Sequence, residues 1–276
     1  MTKVYGVLGH PIAQSKSPLI HNDAFRSLGI DAAYHAFDVR PEHIGEAIKG
    51  IRALQIAGCN VTVPHKIAVM EWLDDIDDEA RQIGAVNTIV NDGGRLVGYN
   101  TDGRGYVESL VEEAGETLQN KHILVIGAGG AARGIVTALV RHGVAHVTIT
   151  NRTLEKAYPL IDIAKSLNTD AAAIEKAEAE SRIGEFDVLI NTTSIGMSPD
   201  VDASPLSLNG LLTHQIVSDL IYNPIETKFL REARERRAKT VDGVGMFVNQ
   251  AALSFEHWTG QKPNREKMKK LVIGSL

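Results

Sequence analysis

The sequence is poor in cysteine and has no long apolar run. Its single cysteine, Cys59, excludes an internal disulfide and suits a reducing compartment. No stretch approaches the roughly 18 consecutive apolar residues of a membrane span, and no basic segment followed by a long apolar stretch opens the chain. We therefore expect a soluble, cytoplasmic protein without a membrane partner.

Basic charge is also scarce. Lys and Arg total 29 against 34 Asp and Glu, a formal net charge of −5, which argues against a nucleic-acid partner. The one basic run, residues 231–239, is interrupted by Glu232 and Glu235, as on a solvated helix face. Only His142 and His146 have helical spacing, and Gly143 breaks a helix between them, so we expect no metal site.

A glycine-rich turn lies between a predicted strand and a predicted helix. Apolar residues 122–126 run into Gly127-Ala128-Gly129-Gly130-Ala131-Ala132, and a helical pattern continues to about residue 142. In a dinucleotide-binding βαβ unit the first glycine allows a sharp turn, the second lets backbone approach a pyrophosphate, and a small third residue packs closely. The helix N-terminus then receives the phosphate charge. The motif alone is weak evidence, because glycine turns end many buried strands.

The end of the next predicted strand, residues 144–150, strengthens this interpretation. Asn151-Arg152-Thr153 stands where an NAD site would carry an acidic residue, roughly 20 residues beyond the glycine turn. No Asp or Glu is present there. Arg152 offers a cationic fork to a 2′-phosphate, with Asn151 and Thr153 as small donors, so the sequence predicts NADP.

Strands alternate with helical patterns along the chain, which predicts an α/β fold with mostly parallel sheets. A length of 276 residues favours two domains. We expect an N-terminal α/β substrate domain over 1–101, completed by C-terminal helices over 245–276. Residues 102–244 are predicted to form a Rossmann-type, doubly wound NADP-binding domain.

Polar residues gather at the predicted strand ends of the first domain. Ligands of α/β sheets bind outside the carboxyl ends of strands, so one small polar molecule could contact the whole set. Taken singly, each residue has a structural alternative, such as helix capping or hairpin hydrogen bonding. The set comprises Ser15, Ser17, Thr62, Lys66, Asn87, Thr101 and Asp102.

Lys66 and Asp102 are the predicted chemical pair. A lysine beside a carboxylate can hold a substrate oxygen and exchange a proton with it. His65 is a rival acid or base, but neighbouring side chains of an extended segment point apart, so only one of the two should face the ligand.

Nine motifs, in order along nearly the whole chain, resemble the shikimate dehydrogenase family. Beside the glycine turn and Asn151-Arg152-Thr153, the resemblance rests on Ser15-Lys16-Ser17-Pro18, Asn60-Val61-Thr62-Val63-Pro64-His65-Lys66, Gly84-Ala85-Val86-Asn87-Thr88, Asn100-Thr101-Asp102-Gly103, Asn191-Thr192-Thr193-Ser194-Ile195-Gly196-Met197, Tyr222-Asn223-Pro224, and Asp242-Gly243-Val244-Gly245-Met246 followed by Gln250. It implies reversible, NADPH-dependent reduction of 3-dehydroshikimate to shikimate, within the biosynthesis of chorismate and the aromatic amino acids.

The resemblance also implies the role of individual residues. Lys66 becomes the catalytic acid or base and Asp102 its partner. The implied shikimate contacts are Ser15, Ser17, Thr62, Lys66, Asn87, Asp102, Tyr222 and Gln250. The implied NADP contacts are Gly127, Ala128, Gly129, Gly130 and Ala131 at the pyrophosphate, Asn151, Arg152 and Thr153 at the adenosine phosphate, and Thr192, Leu220, Gly243 and Met246 at the nicotinamide.

Phe247, Asn249 and His257 depart from the family pattern and are expected to alter packing near Gln250. Two alternatives stay open: a quinate/shikimate dehydrogenase that uses NAD, and a non-catalytic regulatory protein that binds NADP or shikimate. The sequence also leaves the oligomeric state open between monomer and homodimer.

Overall fold

The computed structural model describes residues 2–276, and these divide into two compact units. One unit comprises the described residues up to Asp102 together with Val248–Ser275. The other comprises Gly103–Phe247 together with Leu276. Each unit is built around its own six-stranded sheet, which confirms the predicted two-domain α/β class.

The first unit contains a mixed sheet in the order β2-β1-β3-β5-β6-β4. β1, β2 and β3 are parallel neighbours, whereas β5 runs antiparallel to both β3 and β6. The strands are β1 (Lys3–Gly9), β2 (Ala32–Asp38), β3 (Gly58–Val61), β4 (Asp75–Ile76), β5 (Thr88–Asp92) and β6 (Arg95–Tyr99). The helices preceding Asp102 are α1 (Ser17–Ser27), α2 (Ile44–Ala53) and α3 (Asp78–Ile83).

Alternation along the strands gives this sheet two apolar faces. Tyr5 and Val7 of β1 belong to a cluster with Phe25 of α1, whereas Leu8 packs in a second cluster with Ile48 of α2. Because successive strand residues point to opposite sides, each face requires its own helical cover. The sheet is therefore the middle layer of three.

The acidic segment between residues 74 and 79 is exposed or half-buried, and several of its side chains have specific partners. Arg52 forms an ion pair with Asp74 at 2.9 Å, and Arg95 forms one with Asp75 at 2.7 Å. The Asp77 carboxylate caps α3 by accepting from the Glu79 backbone N–H at 3.0 Å. The sequence pattern missed these contacts because the arginines lie on other elements.

The second unit contains an all-parallel sheet in the order β12-β11-β10-β7-β8-β9. Numbered within the unit this order is 6-5-4-1-2-3, the doubly wound arrangement of dinucleotide-binding domains. Its strands are β7 (His122–Ile126), β8 (His146–Thr150), β9 (Asp170–Ile174), β10 (Val188–Asn191), β11 (Ile216–Asp219) and β12 (Lys239–Val241). The remaining helices of the chain are α4 (Asp102–Ala114), α5 (Gly130–Arg141), α6 (Tyr158–Ser166), α7 (Lys176–Ser181), α8 (Lys228–Glu235), α9 (Val244–Thr259) and α10 (Arg265–Ile273).

The chain returns to the first unit through the second part of α9 and through α10. Phe255 joins the apolar cluster of Tyr5 and Phe25. Trp258 packs over Gly58, where any Cβ would lie 2.6 Å or less from the indole, and its Nε1 donates to the Ile89 carbonyl at 2.9 Å. These contacts hold the α9 segment that carries Gln250 against the first sheet. No helix among residues 2–276 is long and apolar enough to cross a membrane.

Candidate active site

Strand direction brings the polar residues of the first unit to one edge of its sheet. β1 and β3 are parallel, so the chain segments that follow them, containing Ser15 and Thr62, leave at the same edge. β5 is antiparallel, so its first residue, Thr88, lies opposite both Asn60 of β3 and Tyr99 of β6. Segments 85–87 and 100–102 therefore meet the ends of β1 and β3.

Lys66 and Asp102 form an ion pair at this edge. Lys66 Nζ lies 2.5 Å from Asp102 Oδ2, and the two side chains are 13% and 5% exposed. The Lys66 carbonyl accepts from the Val86 backbone N–H at 2.8 Å, which fixes the lysine backbone beside the segment containing Asn87. A nearly buried ammonium group in contact with a carboxylate is suited to proton exchange with a bound oxygen.

Asn87 holds the other carboxylate oxygen. Its Nδ2 donates to Asp102 Oδ1 at 2.8 Å and to Thr101 Oγ1 at 2.9 Å. Its Oδ1 accepts from the Thr101 backbone N–H at 2.8 Å. The two Asp102 oxygens thus have different partners, an amide on one side and the lysine on the other.

His65 points away from Lys66. Its ring is 1% exposed, and Nε2 donates to the Val39 carbonyl at 2.6 Å. This agrees with the expectation that neighbouring side chains point apart, and it gives His65 a structural role.

The remaining candidates of the first unit differ in how closely they join this group. Ser17 is the first residue of α1 and 7% exposed, and its backbone N–H donates to Ser15 Oγ at 3.3 Å. Thr62 follows β3, and its N–H donates to the Leu8 carbonyl at 2.9 Å. The backbone of Gln250 is tied to Thr101, whose hydroxyl donates to the Gln250 backbone carbonyl at 3.0 Å.

In the second unit, the glycine turn has the geometry that backbone binding of phosphate requires. Gly127 has φ +108°, and a Cβ there would lie 2.6 Å from Thr192 Oγ1. Gly129 precedes the first residue of α5, and a Cβ added to it meets no atom within 4 Å. Gly127 is thus required by the turn itself, whereas Gly129 leaves open space at the helix N-terminus, where a pyrophosphate fits.

The segment after β8 presents the predicted phosphate-binding arginine. Asn151 Nδ2 donates to the Thr153 carbonyl at 2.7 Å, which closes a short loop around Arg152. Arg152 is exposed on that loop. This arrangement fits a guanidinium that meets a 2′-phosphate from the solvent side.

Three of the four residues expected at the nicotinamide lie just after neighbouring strands, and the fourth lies in the apolar core. Thr192 follows β10 beside the glycine turn, and its hydroxyl donates to the Ile126 carbonyl at 2.8 Å. Gly243 follows β12, where a Cβ would lie only 2.2 Å from the Leu220 carbonyl oxygen after β11. Thr192, Leu220 and Gly243 therefore lie at the carboxyl ends of neighbouring parallel strands. Met246 is 8% exposed and belongs to the apolar core of this unit.

Tyr222, predicted to contact the substrate, lies in the second unit. Its ring stacks on Phe247, with centroids 4.5 Å apart. The two other departures from the family pattern lie in the first unit, where Asn249 accepts from Arg265 at 3.4 Å and His257 stacks on Tyr99 at 4.3 Å.

Sequence reasoning gave no role to Asp219, the last residue of β11. This fully buried carboxylate accepts from Asn191 Nδ2 at 3.1 Å, from the Ile221 N–H at 3.0 Å and from the Thr227 hydroxyl at 2.8 Å. Burial raises its pKa from 3.8 to about 6. Asn191 Oδ1 in turn accepts from the Thr193 N–H and hydroxyl, so Asp219 and Asn191 together organise the loops that contain Thr192 and Leu220. The only hint of this site in the sequence was Asn191, the first residue of the motif over residues 191–197.

A doubly wound sheet with a glycine turn and an exposed arginine, joined in one chain to a lysine–carboxylate pair, defines an NADP-dependent oxidoreductase. Three family models match: the shikimate dehydrogenase substrate binding domain over residues 7–89, shikimate / quinate 5-dehydrogenase over 109–198, and the shikimate 5'-dehydrogenase C-terminal domain over 243–273.

Individual proteins agree with these models. Shikimate dehydrogenase (NADP(+)) of Geobacillus kaustophilus is 56% identical over 276 residues, covering 100% of this chain and 99% of its own, and that of Bacillus subtilis is 52% identical over 277 residues, covering 100% and 98%. The structure of shikimate 5-dehydrogenase from Thermus thermophilus in complex with NADP(H) and shikimate superposes with a TM-score of 0.89 at 36% identity, covering 99% of this chain and 100% of that one. The chain belongs to the shikimate dehydrogenase family.

Proposed function

We propose that the protein catalyses the reversible, NADPH-dependent reduction of 3-dehydroshikimate to shikimate, in the biosynthesis of chorismate and the aromatic amino acids. The observation that carries the chemistry is the ion pair between Lys66 Nζ and Asp102 Oδ2 at 2.5 Å. Family membership supplies the substrate, and the pair supplies a proton donor for a carbonyl oxygen.

Lys66 donates the proton that the substrate oxygen takes up during reduction and receives it back in the reverse direction. Asp102 holds the ammonium group in place, and Asn87 holds Asp102. A positioned acid or base of this kind accelerates a reaction by about 10²- to 10⁴-fold.

The remaining proposed contacts orient the substrate. The Ser15 and Ser17 hydroxyls bind its carboxylate, and Thr62, Asn87, Asp102, Tyr222 and Gln250 bind its ring hydroxyls. Their support is the shared sheet edge for the residues up to Asp102, the hydrogen bond from Thr101 to the backbone carbonyl for Gln250, and the family motif for Tyr222.

The second unit binds NADP(H) in this proposal. Gly127, Ala128, Gly129, Gly130 and Ala131 hold the pyrophosphate, Asn151, Arg152 and Thr153 hold the 2′-phosphate, and Thr192, Leu220, Gly243 and Met246 lie at the nicotinamide. When bound, NADPH supplies the hydride for the ketone carbon. Open space at Gly129 and the exposure of Arg152 support this assignment.

The test is to mix the purified protein with shikimate and NADP and to follow reduced nicotinamide by its absorbance. We expect steady turnover with this pair and lower kcat/KM when NAD replaces NADP or quinate replaces shikimate. Tight binding of both ligands without turnover would contradict an enzyme and favour a regulatory binding protein.

A cytoplasmic location and a monomeric or homodimeric state belong to the same proposal. The single cysteine, Cys59, is free and fully buried, and a chain that uses no disulfide suits a reducing compartment. Cell fractionation tests the location, and sedimentation velocity tests the oligomeric state.

A further inference from the structure

A group of buried polar side chains lies behind the Lys66–Asp102 pair in the first unit. It consists of Tyr34 on β2, Asn60 on β3, Thr88 on β5 and Ser254 on α9. None of them is more than 6% exposed. Burying a polar side chain is costly unless it is hydrogen-bonded. The hydrogen bonds among these four residues therefore show which side chain they orient.

The pairing begins at Tyr34. Its hydroxyl lies 2.7 Å from Asn60 Oδ1, a carbonyl oxygen that can only accept, so the tyrosine donates. Because Oδ1 is thereby fixed, the Asn60 amide nitrogen faces the opposite way and donates to Ser254 Oγ at 2.9 Å. The tyrosine hydroxyl thus sets the orientation of the Asn60 side chain.

The same reasoning continues from Ser254 to Asn87. Thr88 Oγ1 lies 2.9 Å from Asn87 Oδ1, another oxygen that only accepts, so the Thr88 proton points there. Ser254 Oγ lies 2.7 Å from Thr88 Oγ1 and must then be the donor of that pair. Ser254 Oγ also lies 2.9 Å from the Gln250 backbone carbonyl, but two hydroxyl oxygens only 2.7 Å apart need a proton between them, and the Thr88 proton is already directed at Asn87 Oδ1.

The chain ends on the catalytic carboxylate. With Oδ1 of Asn87 occupied by the Thr88 hydroxyl and the Thr101 N–H, its Nδ2 faces Asp102 Oδ1 at 2.8 Å. Asp102 Oδ2 is left for Lys66. Every donor from Tyr34 onward therefore points toward Asp102, and hydrogen bonds aligned in one direction polarise and strengthen each other.

We infer that Tyr34, Asn60, Ser254 and Thr88 are positioning residues, whose one-directional hydrogen-bond chain orients Asn87 and thereby holds Asp102 and Lys66 for proton transfer. The inference rests on the proposed function and goes beyond it, because none of these four side chains contacts Lys66 or Asp102 directly. A small displacement of a catalytic group can cost up to about a hundredfold in rate, so the chain should affect turnover more than binding.

Thr88 gives the sharpest test, because Thr88→Val removes the hydroxyl at nearly constant volume and Thr88→Ser keeps it. We expect Thr88→Val to lower kcat about tenfold, with NADP affinity unchanged and shikimate affinity, measured by calorimetry, changed less than threefold. Thr88→Ser should restore kcat to within about twofold of the wild type. A merely structural role would not separate these two variants in kcat at equal fractions of folded protein.

A double-mutant cycle tests whether the chain acts as one unit. Tyr34→Phe alone should lower kcat about threefold, and it should add nothing in the Thr88→Val background, where the chain is already broken. Tyr5→Phe is the matched control, since Tyr5 stacks in the same aromatic cluster, 5.1 Å from both Phe25 and Trp258. It should leave kcat unchanged in either background.

Wild-type kcat in Thr88→Val would overturn the inference, as would equal losses in Thr88→Val and Thr88→Ser or fully multiplicative losses in the cycle. If Thr88→Val fails to fold, the comparison of Tyr34→Phe with Tyr5→Phe becomes the test. A loss of kcat in Tyr34→Phe alone supports the hydrogen-bond chain, and equal kcat values in the two variants refute it. Failure of the proposed function is distinct, because the wild-type protein itself would then show no turnover.

Discussion

Asp102 and Asp219 are both buried carboxylates at the edge of a six-stranded sheet, and they differ in what faces them. Asp102, in the first unit, has the Lys66 ammonium on one oxygen and the Asn87 amide on the other. Asp219, in the second unit, is surrounded by neutral donors from Asn191, Ile221 and Thr227. The first carboxylate is paired with a cation, and the second anchors loops.

Under the proposed function, this difference divides the work between the two units. The first builds its ligand-facing edge from ionised and polar side chains, which can exchange protons. The second presents backbone at Gly127 and Gly129 and uses Asp219 to hold the loops on which that backbone lies. A substitution should therefore damage chemistry in the first unit, and stability or cofactor affinity in the second.

The largest expected effect comes from removing the cation of the first carboxylate. Lys66→Ala should lower kcat at least about a hundredfold, the usual loss for a positioned acid or base, while NADP affinity stays nearly unchanged. Steady-state kinetics and cofactor titration measure the two quantities. Lys3→Ala, an exposed lysine on β1, is the control and should retain full activity. A near-normal kcat in Lys66→Ala would remove the lysine from its proposed role.

The second carboxylate should appear in the pH dependence of folding. Burial raises the pKa of Asp219 from 3.8 to about 6. Below about pH 4 the carboxyl is protonated in both folded and unfolded chains, and above about pH 6 it is ionised in both. Between these values only the folded chain binds the proton, so its contribution to stability is lost as pH rises.

Asp219→Asn removes this titration. Comparison of urea unfolding at pH 4 and pH 7 should show that the wild type loses up to about 3 kcal/mol more than the variant as pH rises, at 1.36 kcal/mol per unit of pKa. Parallel dependence of the unfolding free energy on pH in the two proteins would show that the pKa of Asp219 is not raised in the folded protein.

The site residues that sequence reasoning proposes are those whose pattern is local. Each of these patterns lies in one short segment: the glycine turn, the segment around Arg152 without an acidic residue, and the lysine after β3. Each segment follows a strand, and ligands of α/β sheets bind outside the carboxyl ends of strands. The confirmed two-domain α/β class follows from the same alternation of strands and helices.

Other features could not be predicted because they depend on distant contacts. Ser254 lies on a helix 194 residues beyond Asn60, its hydrogen-bond partner, and serine on an amphipathic helix carries no signal of burial. Asp219 looked like an ordinary strand end, since the donors that surround it come from three separate segments. Which polar residues are buried together is a property of packing, and periodicity does not report it.

His21 offers a titration of opposite sign in the first unit. This fully buried ring stacks on Tyr34 at 4.4 Å, and neither of its nitrogens has a hydrogen-bond partner among residues 2–276. Burial lowers its pKa from 6.5 to about 3. Below about pH 6.5 the unfolded chain binds a proton at His21, whereas the folded chain does not until the pH approaches 3. Stability is therefore lost as pH falls from about 6.5 toward 3.

His21→Phe keeps an aromatic ring in the stack and removes the titration. Between pH 7.5 and pH 5 the wild type should lose about 2 kcal/mol more than the variant, measured by urea unfolding. This slope is opposite to that of Asp219, which becomes stabilising on acidification. Equal slopes for wild type and His21→Phe would mean that solvent reaches the ring.

The smallest effect should come from an exposed charge, Arg152, on the loop after β8. Since the side chain is in solvent, Arg152→Ala should leave the unfolding free energy within about 0.5 kcal/mol of the wild type. It should lower kcat/KM about tenfold for NADP, which carries the 2′-phosphate, and leave the value for NAD unchanged.

Salt screens exposed charges, so the loss in Arg152→Ala should shrink as ionic strength rises, unlike the loss in Lys66→Ala, which removes a nearly buried charge. The control is Arg104→Ala, which removes an exposed arginine on α4 that pairs with Glu108. It should change kcat/KM for neither NADP nor NAD. Equal losses with NADP and NAD would assign Arg152 to the pyrophosphate or to the loop itself, and would leave the 2′-phosphate to another cation.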